Sequence, residues 1–126
     1  MSLILDSGAL IAYERGSRVV RAMLGHASAR KDAIRVSTAV VAQVWREGRR
    51  QAGLVRLLRG VEEVPLSPAR ARGIGELLRH ARAHDVVDAA VIELANSGDE
   101  ILTSDPDDLL SLAEHSEKTL IITPVR

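Results

Sequence analysis

An α/β fold, a central parallel sheet of four to five strands with helices on both faces, is expected of this chain on three grounds. Short apolar runs of strand length recur along the 126 residues, and each is separated from the next by a stretch with helical apolar spacing. Several runs end in a polar pair, Asp6-Ser7, Ser37-Thr38 or Ser104-Asp105, directly before a helical pattern. Two helices open with a cap residue followed by proline at the first helical position, at Ser67-Pro68 and Asp105-Pro106. The resulting order, β-α-β-α-β-α-α-β-α-β, needs crossover connections, and crossovers build parallel sheets.

In chain order, residues 3–5 form a short buried strand that stops at Asp6. Ala9, Leu10, Ile11 and Tyr13 then give one or two apolar helical turns, stopped near Gly16. Ser17 can cap a helix that runs through His26 or beyond, with Val19, Val20, Met23 and Leu24 facing inward. Residues 34–37 are the second strand. Thr38 opens a helix whose apolar positions are Val40, Val41, Val44 and Trp45, with Gln43, Glu47 and Arg50 elsewhere on the wheel. This helix either runs on or bends near Gly48 and Gly53, and reaches Gly60 through Leu57 and Leu58. Residues 61–66 are the third strand, with Pro65 at its end. The helix after Ser67-Pro68 carries Ile74, Leu77 and Leu78 to about Ala83. His84-Asp85 begins another over residues 86–95, closed by Asn96-Ser97-Gly98. Residues 100–104 are strand four, 106–115 its following helix and 120–122 the last strand.

Residues 1–126 are expected to form one domain, large enough for a core without staples. The hydrophobic fraction of 46% and the charged fraction of 27% are ordinary for a soluble globular protein. There is no cysteine, which excludes disulfides, thiolate metal sites and cysteine nucleophiles. Met1-Ser2-Leu3-Ile4-Leu5-Asp6 lacks a basic region and meets a carboxylate at once. Neither a signal peptide nor a membrane span is therefore expected, and a cytoplasmic location is the default.

Net charge is zero but unevenly spread. Over residues 46–82 nine arginines oppose four acids, a balance of +5, whereas residues 85–117 hold ten acids and no Lys or Arg, a balance of −10. That polarity suggests an acidic site near a basic rim. Lys31 and Lys118 are the only lysines. Arginine suits bidentate contact with phosphates, although a GC-rich genome would also enrich it.

Each acid alone reads as a helix cap: Asp105 before Pro106 with Asp108 three residues on, Asp85 with Asp88, and Asp6 beside Ser7. Taken together they suggest more. Asp6 and Asp105 follow the carboxyl ends of two strands, Asp88 lies one turn inside a nearby helix, and in a parallel sheet those ends share one edge. Carboxylates packed together raise one another's pKa unless a cation neutralises them. Oxygen ligands without Cys or a paired His favour Mg²⁺ or Mn²⁺ over zinc, and point to metal-assisted phosphoryl chemistry.

These segments, strand-Asp6-Ser7, Ser37-Thr38 opening a helix, Asp85-Val86-Val87-Asp88-Ala89-Ala90 and Leu102-Thr103-Ser104-Asp105-Pro106-Asp107-Asp108-Leu109, resemble in order and spacing the PIN domain, and within it the VapC-type toxins of bacterial toxin–antitoxin pairs. The resemblance implies a PIN-like three-layer α/β/α fold. It also implies a Mg²⁺- or Mn²⁺-dependent endoribonuclease that cleaves structured RNA, leaves a 5′-phosphate and a 3′-hydroxyl, forms a homodimer and is inhibited by a cognate antitoxin. It assigns Asp6, Asp88 and Asp105 as the metal carboxylates, Asp108 as a supporting acid and Thr103 as the residue orienting the last strand end. One position departs from the family pattern: where a glutamate is expected on the helix after the second strand, this chain has Gln43. Glu47, one turn later on the same predicted face, and Asp85, one turn before Asp88, are the alternatives for the missing charge. Glu47 reads equally as a solvated charge beside Arg46 and Arg50.

Arg46, Arg49 and Arg50 could hold RNA backbone or form a solvated helix face. With only Trp45 and Tyr13 as aromatics, recognition would depend on RNA shape and phosphates more than on stacked bases. Trp45 itself reads as core or dimer interface. The four histidines form no convincing site, and Gly8 and Gly16 make no phosphate loop. Two rival folds fit less well. A haloacid-dehalogenase-type domain needs Asp-x-Asp where Asp6 is followed by Gly8, and a phosphate receiver needs a lysine after its last strand, whereas Lys118 precedes it. A binding module that keeps RNA and antitoxin contacts but has lost catalysis is the remaining alternative, suggested by Gln43.

Overall fold

Five strands, all parallel to their neighbours, form a single sheet in the order β3-β2-β1-β4-β5. They are β1 (Ser2–Leu5), β2 (Ala33–Ser37), β3 (Glu62–Val64), β4 (Glu100–Thr103) and β5 (Ile121–Pro124) in a computed structural model that describes residues 1–126. Seven helices flank the sheet: α1 (Ser7–Glu14), α2 (Arg18–Ala29), α3 (Thr38–Val44), α4 (Ala52–Arg59), α5 (Pro68–Ala81), α6 (Val86–Leu94) and α7 (Pro106–Ser116). This is the PIN-like α/β/α arrangement expected, with five strands at the upper end of the predicted number.

The central strand is the most apolar because it is covered on both faces. Leu3, Ile4 and Leu5 of β1 are buried, and so are Ile101 and Leu102 of β4 beside it. Leu5 lies level with Val36 on one side and Leu102 on the other, so the carboxyl ends of β1, β2 and β4 come out together. The helices fall into two packed groups, α1 with α2, α3 and α4, and α5 with α6 and α7. Helix α6 is nearly all core, burying Ala89, Ala90, Val91, Ile92 and Leu94.

The strand order reverses beside β1. The chain steps outward from β1 to β2 to β3, then crosses back to lay β4 and β5 on the other side. Such a reversal leaves a crevice at the carboxyl ends, where open α/β sheets bind ligands.

The structure corrects three expectations about the elements. The third strand is Glu62–Val64 rather than residues 61–66. It is an edge strand, and Pro65 has no N–H to extend its pairing. Helix α5 ends at Ala81 because Arg82 takes a left-handed conformation, φ 52°. The largest difference follows β2. Helix α3 stops at Val44, Trp45 is extended (φ −66°, ψ 132°), a 3₁₀ turn covers Gly48–Arg50, and α4 starts anew at Ala52. The Gln51 side chain provides the reason. Its Oε1 accepts from the N–H groups of Arg46 (2.8 Å) and Glu47 (3.0 Å), and its Nε2 donates to the Val44 carbonyl (3.1 Å). The amide thus satisfies backbone groups that a continuing helix would have paired. Trp45 leaves the predicted apolar face and is 40% exposed, so of its two readings, core or dimer interface, the first does not hold.

Candidate active site

Asp6 is the first residue past β1, extended and only 7% exposed. Its N–H continues the ladder to the Leu102 carbonyl at 3.2 Å, and its Oδ1 accepts from the Ala9 N–H at 2.9 Å, capping α1. Burial pushes the Asp6 carboxyl above its ordinary value, against the Thr103 hydroxyl and the α1 N–H groups, which hold it down. Thr103 is wholly buried, and its Oγ1 also accepts from the Asp105 N–H at 2.9 Å. One hydroxyl therefore links the ends of β1 and β4.

Asp105 occupies the cap position of α7, yet its side chain caps nothing and is exposed. The sequence made it a good cap, but Thr103 turns its N–H inward and leaves the carboxylate unspent. Its partner is Asp108, whose carboxyl is raised first by a hydrogen bond with Asp105 and then by the Asp105 charge. Asp88, one turn into α6, is half-buried, and its N–H donates to Asp85 Oδ1 at 3.0 Å. Its carboxyl is pushed up to about 6, mostly by burial and then by the charges of Asp85, Asp108, Asp6 and Asp105. Five aspartates from β1, α6 and α7 thus share one electrostatic neighbourhood at the reversal of strand order.

The other predicted residues divide between this neighbourhood and other places in the fold. Gln43 lies in the last turn of α3, where its Oε1 accepts from the hydroxyl of Ser7, the neighbour of Asp6. Asp85 serves as the cap of α6. Glu47 does not share a helical face with Gln43, because α3 ends between them; it is extended, exposed and paired with Arg50 at 3.4 Å. Thr38 is turned elsewhere: its Oγ1 accepts from the Leu66 N–H at 3.0 Å, tying the β3–α5 connection to α3. Arg46 donates to the Trp45 carbonyl at 2.7 Å, and Arg46, Arg49 and Arg50 are all exposed on or beside the 3₁₀ turn. They form a turn rather than a helix face.

Two contributors escaped the sequence reading. A Cβ on Gly8 would lie 1.9 Å from Ser104 Oγ and 2.9 Å from the Ser104 backbone N, so only glycine lets α1 pack against the β4–α7 turn. Its position two residues after Asp6, at a strand-to-helix turn, was the available signal. Gln51 carried none, since its work depends on the backbone it meets. Lys118 bonds the Ile92 and Glu93 carbonyls at 2.9 and 2.8 Å, at the C-terminal end of α6, opposite to Asp85 and Asp88. A phosphate-receiver arrangement is therefore not built.

No three His, Asp or Glu side chains form a ready-made metal cage. The donor set is nevertheless all oxygen and strongly repulsive, and Asp105 and Asp88 are not spent on caps. This chemistry fits a hard divalent cation that keeps several waters and meets few carboxylates. It favours such an ion over zinc, whose structural sites are built mainly from nitrogen and sulfur ligands.

No protein-family model matches the chain, and no curated protein matches it. Among solved structures, the crystal structure of VapBC2 from Rickettsia felis bound to a DNA fragment from their promoter holds a chain of like fold, with a TM-score of 0.72 at 14% identity, covering 100% of each chain. The likeness establishes the fold.

Proposed function

We propose that this chain is a Mg²⁺- or Mn²⁺-dependent endoribonuclease acting as the toxin of a toxin–antitoxin pair. The observation that carries this reading is the crowding of Asp6, Asp88 and Asp105 at the crevice between β1 and β4, where burial first and neighbouring carboxylate charge second raise the carboxyls of Asp6 and Asp88. The fold likeness to a chain of VapBC2 supports the toxin role and a cognate antitoxin as partner. In the same reading the protein works in the cytoplasm as a homodimer; no helix is long and apolar enough to cross a membrane.

Asp6, Asp88 and Asp105 would hold the cation, with Asp108 behind Asp105. The bound ion would supply an acidified water and charge neutralisation at the scissile phosphate. Thr103 sets the spacing of Asp6 and Asp105 through its hydroxyl. Gln43 brings an amide oxygen without charge and cannot act as a base, so the negative charge of the site rests on the aspartates. Arg46, Arg49 and Arg50 would hold RNA phosphates beside the site, in a contact that weakens with salt.

Purified protein, free of antitoxin, is expected to cut structured RNA with Mg²⁺ or Mn²⁺ and to stop in EDTA. Asp6→Asn and Asp105→Asn should each lower the rate by about 10²-fold or more. Wild-type protein that binds RNA but never cuts it with either metal would favour the non-catalytic binding module that Gln43 suggests.

A further inference from the structure

Trp45 stands where no core packing explains it. It is the chain's only tryptophan, and it is 40% exposed on the turn that follows α3. The backbone on both sides is fixed. The Trp45 N–H donates to the Val41 carbonyl at 2.7 Å, and Gln51 holds the Val44 carbonyl before it and the Arg46 N–H after it. The ring lies against Gly48, where an added Cβ would meet Cζ2 and Cη2 at 3.0 and 3.2 Å. The indole is therefore held in place with part of its surface open to solvent. Tyr13, the other aromatic, is partly buried and already covered by Arg21, whose guanidinium is 4.4 Å from the ring centroid. Around Trp45 the charge is basic: residues 45–51 hold three arginines and one acid, Glu47. Glu47 pairs with Arg50 at 3.4 Å, Arg46 turns one nitrogen back to the Ala42 and Trp45 carbonyls, and Arg49 makes no ion pair. Glu14, the other acid nearby, accepts from Gln51 at 3.3 Å. Two residues before Trp45, Gln43 accepts from Ser7, the neighbour of Asp6, so the turn begins beside the aspartate crevice.

We infer that Trp45 is the stacking platform for one unpaired base of the RNA, with the arginines of the same turn on the adjoining phosphates. An exposed ring whose backbone and packing are already fixed loses little freedom when a base lies on it. The rival occupant of an exposed indole is a second copy of this chain. A two-fold contact centred on Trp45 would bring each copy's arginines against the other's, and like charges facing each other oppose it. The inference rests on the proposed function for its ligand, RNA, and adds that the substrate is single-stranded at the base Trp45 takes.

With a single tryptophan in the chain, fluorescence reports the contact directly. The full chain in EDTA, where nothing is cleaved, is titrated with a short single-stranded RNA oligonucleotide and separately with inorganic polyphosphate, and anisotropy of a labelled copy of the oligonucleotide gives the affinity. RNA should quench the tryptophan emission at saturation, and polyphosphate, which has charge but no bases, should not. Trp45→Ala should weaken RNA binding at least about fivefold and leave the slope of log K against log salt unchanged, since stacking releases no counterions. Trp45→Phe should keep most of the affinity. Melting temperatures check that the variants fold, and the wild-type emission needs no variant. Absence of RNA binding, binding without quenching, equal quenching by polyphosphate, or unchanged affinity in Trp45→Ala would overturn the platform. Emission that shifts with protein concentration alone and ignores RNA would overturn it in favour of a contact between copies. Quenching by RNA in a wild type that never cuts RNA with metal would support the platform and count against the ribonuclease reading.

Discussion

Asp88 shows how far one side chain's chemistry depends on its neighbours. Its sequence position, three residues after Asp85, is that of a first-turn acid, and the structure keeps it there. Burial and four other aspartates raise its pKa from 3.8 to about 6. The folded chain therefore binds this proton more tightly than the unfolded one. The stabilisation is complete below about 3.8 and is lost as pH rises through about 6. Asp6 and Asp108 are raised as well and act in the same sense. In EDTA, the melting temperature should rise as pH is lowered from about 7 to about 5, and Asp88→Asn should flatten that rise. An identical pH slope in the two proteins would remove Asp88 from the cluster. The sequence showed that Asp6, Asp88 and Asp105 could meet. It did not show which would be spent on capping, because that depends on which N–H each carboxylate reaches.

The α3–α4 connection is where an element's own pattern failed as a guide. Val40, Val41, Val44 and Trp45 continue a helical apolar spacing, and Gly48 hinted only at a bend. Gln51 ends α3 by offering its amide to three backbone groups, with Nε2 also 3.3 Å from Glu14. Propensity is a weak prior against such tertiary bonding. The consequence for the site is direct: Glu47 is carried off the Gln43 face, and the arginines are displayed on a turn. Gln51→Ala is expected to cost about 1 kcal/mol, since of the three backbone groups it bonds only the Val44 carbonyl is partly buried, and to loosen the arginine turn without touching the aspartates. Urea unfolding reads the first effect. Amide exchange of residues 45–51 reads the second, and exchange as slow as in wild type would show that the turn holds itself.

For the molecule as a whole, the strand order matters more than any one element. Crossing from β3 back to β4 brings Asp85, Asp88, Asp105 and Asp108 of the acid-rich stretch to the carboxyl end of β1, beside Asp6. A cation bound only by the folded state stabilises it by about 2.7 kcal/mol at a hundredfold excess over Kd. Raising Mg²⁺ or Mn²⁺ is therefore expected to raise the wild-type melting temperature by on the order of 10 °C. The Asp105→Asn curve should stay nearly flat. That variant should also melt no lower than wild type in EDTA, since Asp105 caps nothing and repels its neighbours. Parallel metal responses in the two proteins would exclude Asp105 as a ligand.

Apolar periodicity along the chain was enough to determine the α/β class, the succession of five strands along the chain, and the strand ends that carry Asp6 and Asp105, because burial on both sheet faces writes itself into consecutive residues; their order in the sheet came from the tertiary structure. Folding decided the rest: that Asp105 is free while Asp6 and Asp85 cap, that Gln43 is held by Ser7, that Glu47 is out of reach, and that Gly8 admits Ser104. Each of these depends on which of several hydrogen-bond partners, distant in sequence, a side chain meets first, or on how closely two backbones can approach. Neither quantity is a property of local spacing.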